Sequence, residues 1–121
     1  MAQNKPDMQL WTNAWRKADQ EIFKNVYAKN AIIFPPGKPS VKGNDNILNF
    51  MKGGLGKVDV VFEKDFWETD ENIIFEHGTF KDVELASQQV IGIGNYAVLW
   101  VLSGANWRII NHTWTMPNKK L

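Results

Sequence analysis

Residues 27–43, Tyr-Ala-Lys-Asn-Ala-Ile-Ile-Phe-Pro-Pro-Gly-Lys-Pro-Ser-Val-Lys-Gly, decide the fold that we predict for this chain. Tyr27 is expected to end a helix, and the apolar run at residues 31–34 is expected to form a short strand. The Pro-Pro-Gly sequence at residues 35–37 then reverses the chain, because proline fixes φ and glycine readily adopts a positive φ. Asn44 is a good N-cap for a following helix. The segment therefore predicts a helix, a strand, a sharp turn and a second helix.

The residues before this segment have the periodicity of an amphipathic helix. Across residues 7–27, apolar side chains recur every three or four positions and form one stripe: Trp11, Trp15, Ala18, Ile22 and Val26. An alternative is a break near Lys17 and Ala18, after which Asp19 caps a second helix. The sequence leaves both alternatives open.

The helix that begins at Asn44 is expected to be short, because Gly53 and Gly54 follow it closely and are typical of a helix end. Its spacing predicts that it buries Ile47, Phe50 and Met51.

After Gly56 the apolar pattern changes to a period of two. Val58, Val60 and Phe62 alternate with other residues, which is typical of a strand with two different faces. Further strands are predicted at residues 73–83, 90–102 and 107–116, separated by turn residues at 69–72, 87–89 and 103–106. Helices followed by an antiparallel meander predict an α+β fold in which the sheet curls around the first helix.

The composition fits one domain spanning residues 1–121. The chain is 44% hydrophobic with six Trp and seven Phe, which is enough apolar material for a core. A net charge of +1 without a basic patch argues against nucleic acid and anionic membrane as partners. The chain has no Cys, which excludes disulfides, thiol nucleophiles and thiolate metal sites.

The sequence also predicts a cytoplasmic protein. The first seven residues lack the apolar core of a signal peptide. The longest apolar run, residues 96–102, is far too short to span a bilayer.

Landmarks spread over residues 8–115 carry a resemblance to a known family. They are the stripe ending at Tyr27, the strand and turn at residues 31–37, Gly43, and the segments at residues 76–80, 94–100 and 107–109. With them the chain resembles the SnoaL-like and ketosteroid-isomerase-like members of the nuclear transport factor 2-like superfamily, and is most similar to bacterial members of unknown function. The resemblance implies a cone-shaped, cystatin-like roll: N-terminal helices packed in the concave face of a strongly curved, mostly antiparallel sheet, enclosing a cavity.

The resemblance does not bring the isomerase activity with it. Ketosteroid isomerases use an Asp base on the first strand, and that position falls at Pro35. Their oxyanion donors, a Tyr and a protonated Asp, fall near Trp11 and Tyr96. Without a base, removal of a proton next to a carbonyl is not expected.

Glu76 and His112 are the candidate catalytic residues. Alternation puts Glu76, Gly78 and Phe80 on one face of a strand, and in the resembled families this face looks inward. His112 shares a face of the last strand with Trp114, and the two titratable groups could meet as acid and base. The alternative is structural: Glu76 is a buried carboxylate satisfied by an indole or a hydroxyl, and His112 is a solvated or core histidine.

The rest of the site follows from the resemblance. The residues expected to bind a ligand are Trp11, Trp15, Phe34, Phe80, Tyr96 and Trp114. No cofactor is expected, and no metal site either, because the two His and the scattered carboxylates lack ligand spacing. His77 is assigned to the outer face of the sheet. Gly92 and Gly94 interrupt a strand pattern and predict a bulge.

Three functions remain as alternatives. We favour a binding domain whose aromatic pocket holds a small hydrophobic or cyclic metabolite. The second is a small isomerase, cyclase or dehydratase using Glu76 and His112. The third is a dimerisation module, since the association domain of calmodulin-dependent kinase resembles this fold.

A homodimer is also expected. Some predicted strands carry apolar residues on both faces, for example Phe66 and Trp67, and one layer of helices can cover only one face.

Overall fold

The computed structural model describes residues 4–117, so the first three and last four residues of the expected domain lie outside the described part. The elements are α1 (Met8–Arg16), α2 (Gln20–Lys24), β1 (Tyr27–Phe34), β2 (Val41–Lys42), α3 (Asn44–Met51) with a 3₁₀ turn (Lys52–Gly54), β3 (Val58–Thr69), β4 (Ile73–Glu84), β5 (Val90–Ser103) and β6 (Asn106–Thr115). The three long strands predicted after residue 72 agree with these bounds to within one residue.

Two short helices, rather than one continuous helix, precede the sheet. Ala18 adopts a positive φ of 55° and ends the first, and the carboxylate of Asp19 accepts hydrogen bonds from the first amides of α2. The alternative with a break is therefore confirmed. The break also rotates the buried stripe, so that Ile22 is 44% exposed and Phe23 is fully buried in its place.

Three expectations for residues 27–51 are wrong. Tyr27 opens β1 instead of ending a helix. The N-cap of α3 is Gly43, at φ 89°, and the Asn44 side chain instead donates a hydrogen bond to the Tyr27 carbonyl oxygen at 3.4 Å. Phe50 is 41% exposed, because the buried stripe of α3 runs through Ile47 and leaves Phe50 beside it.

The six strands form one sheet in the order β2-β1-β6-β5-β4-β3. Strands β1 and β6 are parallel, and every other neighbouring pair is antiparallel. Helix α1 packs in the concave face of this curled sheet, with Trp11 and Trp15 buried against it. The predicted α+β fold, a mostly antiparallel roll around N-terminal helices, is confirmed.

Glycines on the concave face allow the sheet to curve sharply. A Cβ atom on Gly78 would overlap the carbonyl oxygen of Glu63, and one on Gly94 would overlap that of Thr115. Only glycine lets the neighbouring strands approach so closely. The register of β4 against β5 also shifts opposite Gly92, which confirms the predicted bulge.

Side chains of α1 fix it to β3, the edge strand of the sheet. The hydroxyl of Thr12 donates to the carbonyl oxygen of Val60 at 3.2 Å. The indole of Trp15 donates to the carbonyl oxygen of Val58 at 2.7 Å. These bonds satisfy backbone groups that an edge strand would otherwise leave unpaired. The second bond also holds the indole of Trp15 against the sheet.

None of the helices formed between residues 4 and 117 has both the length and the apolar character required to cross a bilayer.

Candidate functional site

A cavity of about 200 Å³ lies between α1, the end of α3 and the concave face of the sheet. Five aromatic rings form most of its wall: Trp11, Trp15, Phe62, Phe80 and Trp114. Met51, Gly54, Val58 and Val60 complete the apolar lining. The two titratable side chains that reach it are Asp82 and His112.

His112 ends a chain of three buried side chains. The indole nitrogen of Trp11 donates to the Tyr27 hydroxyl oxygen at 2.9 Å, and that hydroxyl lies 2.8 Å from Nδ1 of His112. Because an indole can only donate, the Tyr27 oxygen accepts from Trp11, and we assign the Tyr27 hydrogen to Nδ1 of His112. Burial lowers the pKa of His112 to about 3 and raises the pKa of Tyr27. His112 is therefore a neutral imidazole, and with Tyr27 assigned as the donor to Nδ1 its proton lies on Nε2.

The Nε2–H group of His112 has no hydrogen-bond partner among the described residues. The only side-chain nitrogen or oxygen there that is both sealed from solvent and unpartnered is Nε1 of Trp107. His112 is 3% exposed, and it contacts the cavity. The cavity thus has a fixed hydrogen-bond donor, held in place from behind by Tyr27.

Asp82 is the second polar group of the cavity, and the sequence analysis does not predict it as a site residue. It lies on β4 two residues after Phe80, at the half-buried rim, beside Gly92. Its carboxylate has no hydrogen bond or ion pair within the described residues, and burial raises its pKa. The signal was available, because the alternation that puts Glu76, Gly78 and Phe80 on the inner face continues to Asp82.

Glu76 is buried at the concave face but does not line the cavity. Its Oε2 accepts from the backbone amide of Met8 at 3.2 Å and from the Tyr96 hydroxyl at 2.7 Å. Its Oε1 accepts from the indole of Trp100 at 3.2 Å. Burial raises the pKa of Glu76, and these three donors oppose that rise. The contacts fit the structural alternative, a carboxylate satisfied by an indole and a hydroxyl.

The structure does not bring Glu76 and His112 into contact. Both lie opposite Val98, on the strands at either side of β5. Their Cα atoms are thus about 10 Å apart, twice the spacing of neighbouring strands. No hydrogen bond joins them, and each has other partners.

Phe34 and Tyr96, expected in the lining, lie elsewhere. Ile33 pairs with His112 and is fully buried, so alternation turns Phe34 to the outer face, where it is 40% exposed. Tyr96 is buried behind Phe62, with ring centroids 4.8 Å apart, and its hydroxyl is committed to Glu76. The other four expected ligand-binding residues, Trp11, Trp15, Phe80 and Trp114, do line the cavity.

Within residues 4–117, no group of three or more His, Cys, Asp or Glu side chains could hold a metal ion.

Comparison with known proteins shows the fold. No family model matches the chain and no curated protein does. Among solved structures, an NTF2-like protein with a cystatin-like fold from Novosphingobium aromaticivorans has a TM-score of 0.78 at 8% identity, over 93% of this chain and 79% of that chain. A ketosteroid isomerase-like protein from Erwinia carotovora atroseptica has a TM-score of 0.68 at 17% identity, over 91% of this chain and 90% of that chain.

A third similar structure, a putative calcium/calmodulin dependent protein kinase II association domain from Xanthomonas campestris, has a TM-score of 0.76 at 15% identity, over 93% of this chain and 84% of that chain. The chain therefore has the NTF2-like, cystatin-like fold that its sequence resembles. Several proteins with this fold are described as being of unknown function.

Proposed function

We propose that this protein binds a small, largely apolar ring compound in the cavity beneath α1. The observation that carries the proposal is an aromatic cavity with two polar groups, the Asp82 carboxylate and the His112 Nε2–H, that have no partner within the described chain. Small-molecule sites have this composition: an apolar wall with a few polar groups that orient the ligand.

The volume of the cavity limits the size of the ligand. At about 200 Å³ it is smaller than the roughly 300–1,000 Å³ of drug-sized sites. An apolar cavity of about 150 Å³ is enough to hold benzene. The volume therefore suits one- or two-ring compounds.

Binding can be tested by calorimetry with indole, p-cresol and benzyl alcohol. The cavity-filling variant Val60→Phe is compared with Val61→Phe, in which the same side chain is added to the opposite face of β3, where Val61 is 42% exposed. We expect saturable binding to the wild type and to Val61→Phe, and none to Val60→Phe. If no compound binds, or if Val60→Phe binds as well as wild type, the proposal is wrong.

A second candidate is proton transfer in a small isomerase, cyclase or dehydratase, with Asp82 in the role predicted for Glu76. Asp82 and His112 both reach the cavity, whereas the oxygens of Glu76 are occupied. Asp82 would take a proton from a carbon next to a carbonyl, and His112 Nε2–H would donate to the resulting enolate oxygen.

The reaction can be followed as exchange of the α-hydrogens of a cyclic ketone with D₂O, measured by proton NMR. We expect faster exchange with wild type than with Asp82→Asn. Equal rates would remove this second function and leave the binding function in place.

We also propose that a second copy of the chain packs on the outer face of the sheet. Phe66, Phe75 and His77 form an exposed aromatic cluster there, with Phe66 stacked on His77 at a centroid distance of 4.9 Å and 5.8 Å from Phe75. Such a patch is typical of a protein interface. The name of one structural neighbour, an association domain, is in line with this proposal.

A further inference from the structure

We infer that the cavity selects a positively charged ligand, a compact aromatic or cyclic amine whose ammonium group pairs with Asp82. The inference rests on the proposed binding function and adds the charge of the ligand to it.

The first argument is that Asp82 lacks a cation. Two other partly buried carboxylates have one: Asp7 accepts from Lys64 at 2.7 Å, and Asp59 accepts from Arg16 at 2.9 Å. Asp82 is half-buried with no such partner, and no Lys or Arg lines the cavity. Burying a carboxylate without donors is unfavourable. An ammonium group entering the cavity would supply both the charge and the hydrogen bonds.

The second argument comes from the rings around Asp82. Three tryptophans and two phenylalanines line the cavity, and the faces of such rings carry partial negative charge. Aromatic walls attract organic cations, and tryptophan does so most strongly. The carboxylate and the rings therefore favour the same sign of charge.

The third argument excludes an anion. His112 is held neutral, with Nδ1 engaged by Tyr27, and so offers one N–H donor without positive charge. That donor can bind a hydroxyl, carbonyl or ether oxygen of the same ligand. A carboxylate or phosphate would meet no cation to compensate for Asp82. The ligand class is thus a small ring compound that carries an amine and, within reach of His112, an oxygen acceptor.

Calorimetry with three probes of nearly equal shape tests the inference: benzylamine, which is cationic at neutral pH, benzyl alcohol, which is neutral, and benzoate, which is an anion. We expect wild type to bind benzylamine about tenfold or more tighter than benzyl alcohol, and benzoate weakest. Asp82→Asn should lose the preference for benzylamine while retaining benzyl alcohol. The matched control is Asp70→Asn, an exposed turn residue whose replacement should leave both affinities unchanged.

The outcomes separate the two proposals. Equal or tighter binding of benzyl alcohol by wild type would overturn the charge preference and leave the binding function intact. A preference that survives in Asp82→Asn would also overturn it, since another group would then select the cation. Absence of saturable binding by all three probes would overturn the binding function, and this inference with it.

Discussion

Glu76 is a buried titratable residue whose two oxygens are both engaged by neighbouring elements of the fold. Its oxygens accept from the backbone of Met8 in α1, from Tyr96 and from Trp100. These bonds connect the first helix to two strands of the sheet. Burial alone would have marked Glu76 as a site residue. Its three hydrogen bonds, which engage both oxygens, are in line with a structural role.

Glu76→Gln should therefore destabilise the protein. The Tyr96 hydroxyl can rotate to accept, but the Met8 amide and the Trp100 indole can only donate, and they bind different oxygens of Glu76. Because a glutamine amide has one oxygen, one of these two donors must face its NH₂ group. We expect a loss of about 1–3 kcal/mol in unfolding free energy, measured by urea titration. Glu68→Gln, an exposed site on β3, is the control and should be neutral. Equal midpoints for wild type and Glu76→Gln would contradict the structural role.

His112 makes the stability of the fold sensitive to acid. Its folded pKa is depressed to about 3, below the 6.5 of an unfolded histidine, because burial disfavours the imidazolium. The unfolded chain therefore binds the proton more readily. The stability that this contributes is fully present above pH 6.5 and is lost as the pH falls from 6.5 towards 3. The raised pKa values of Glu76 and Asp82 act in the opposite direction, since their contribution declines as the pH rises.

Comparison of wild type with His112→Gln isolates the histidine, because the two acidic groups are present in both. We expect the unfolding free energy of wild type to fall relative to that of His112→Gln between pH 7 and pH 4, by a total on the order of 3 kcal/mol. Chemical denaturation at each pH measures it. A difference that does not vary with pH would show that His112 titrates normally in the folded protein.

At the scale of elements, the strands of the meander were predictable, because a strand with one buried face imposes strict alternation. The sequence does not decide the helix break, because the stripe through Trp11 and Trp15 continues past Lys17 and only the cap at Asp19 opposes it. Phe34 was misplaced for a related reason. Residues 31–34 are all apolar, so no alternation shows which of them face inward, and pairing of Ile33 with His112 decides it.

The partners of buried polar groups could not be predicted from the sequence at all. Tyr27 and His112, which share a hydrogen bond, are 85 positions apart in the chain. Tyr96 and Glu76 are 20 positions apart. Such contacts follow from the tertiary packing of the sheet. The strands that carry the site could be predicted from the sequence. The hydrogen bonds that determine its chemistry required the structure.

Two glycines should respond very differently to substitution. Gly94→Ala would place a Cβ against the Thr115 carbonyl of the adjacent strand, which cannot move without breaking the sheet. We expect a loss of roughly 3 kcal/mol or more. Gly37 has the positive φ that the sequence predicted, 67°, with nothing within 4 Å of a new Cβ. Gly37→Val should then cost only about 1 kcal/mol, from backbone strain. A lower urea midpoint for Gly37→Val than for Gly94→Ala would show that the sheet tolerates a Cβ atom at Gly94.

At the scale of the whole molecule, the two faces of the sheet have different surroundings. The concave face is covered by α1, α2 and α3, with the cavity beneath α1. The outer face remains open and carries apolar side chains such as Phe66, Phe75 and Ile93, each at least 39% exposed. A sheet with apolar residues on both faces normally has both covered. Within residues 4–117, no further layer covers the outer face.

Sedimentation equilibrium should detect the second copy that we propose to cover this face. At micromolar concentration we expect about twice the chain mass of 13.9 kDa. Phe75→Glu should shift the protein to monomer, because two copies would bring buried, unpaired carboxylates into the interface. Phe50→Glu is the matched control: Phe50 and Phe75 are both 41% exposed, but Phe50 lies on α3, away from the outer face. Neither variant should unfold the chain, since both side chains are already partly in solvent. A monomer for wild type, or dissociation by Phe50→Glu and not by Phe75→Glu, would show that the outer face is not the dimer interface.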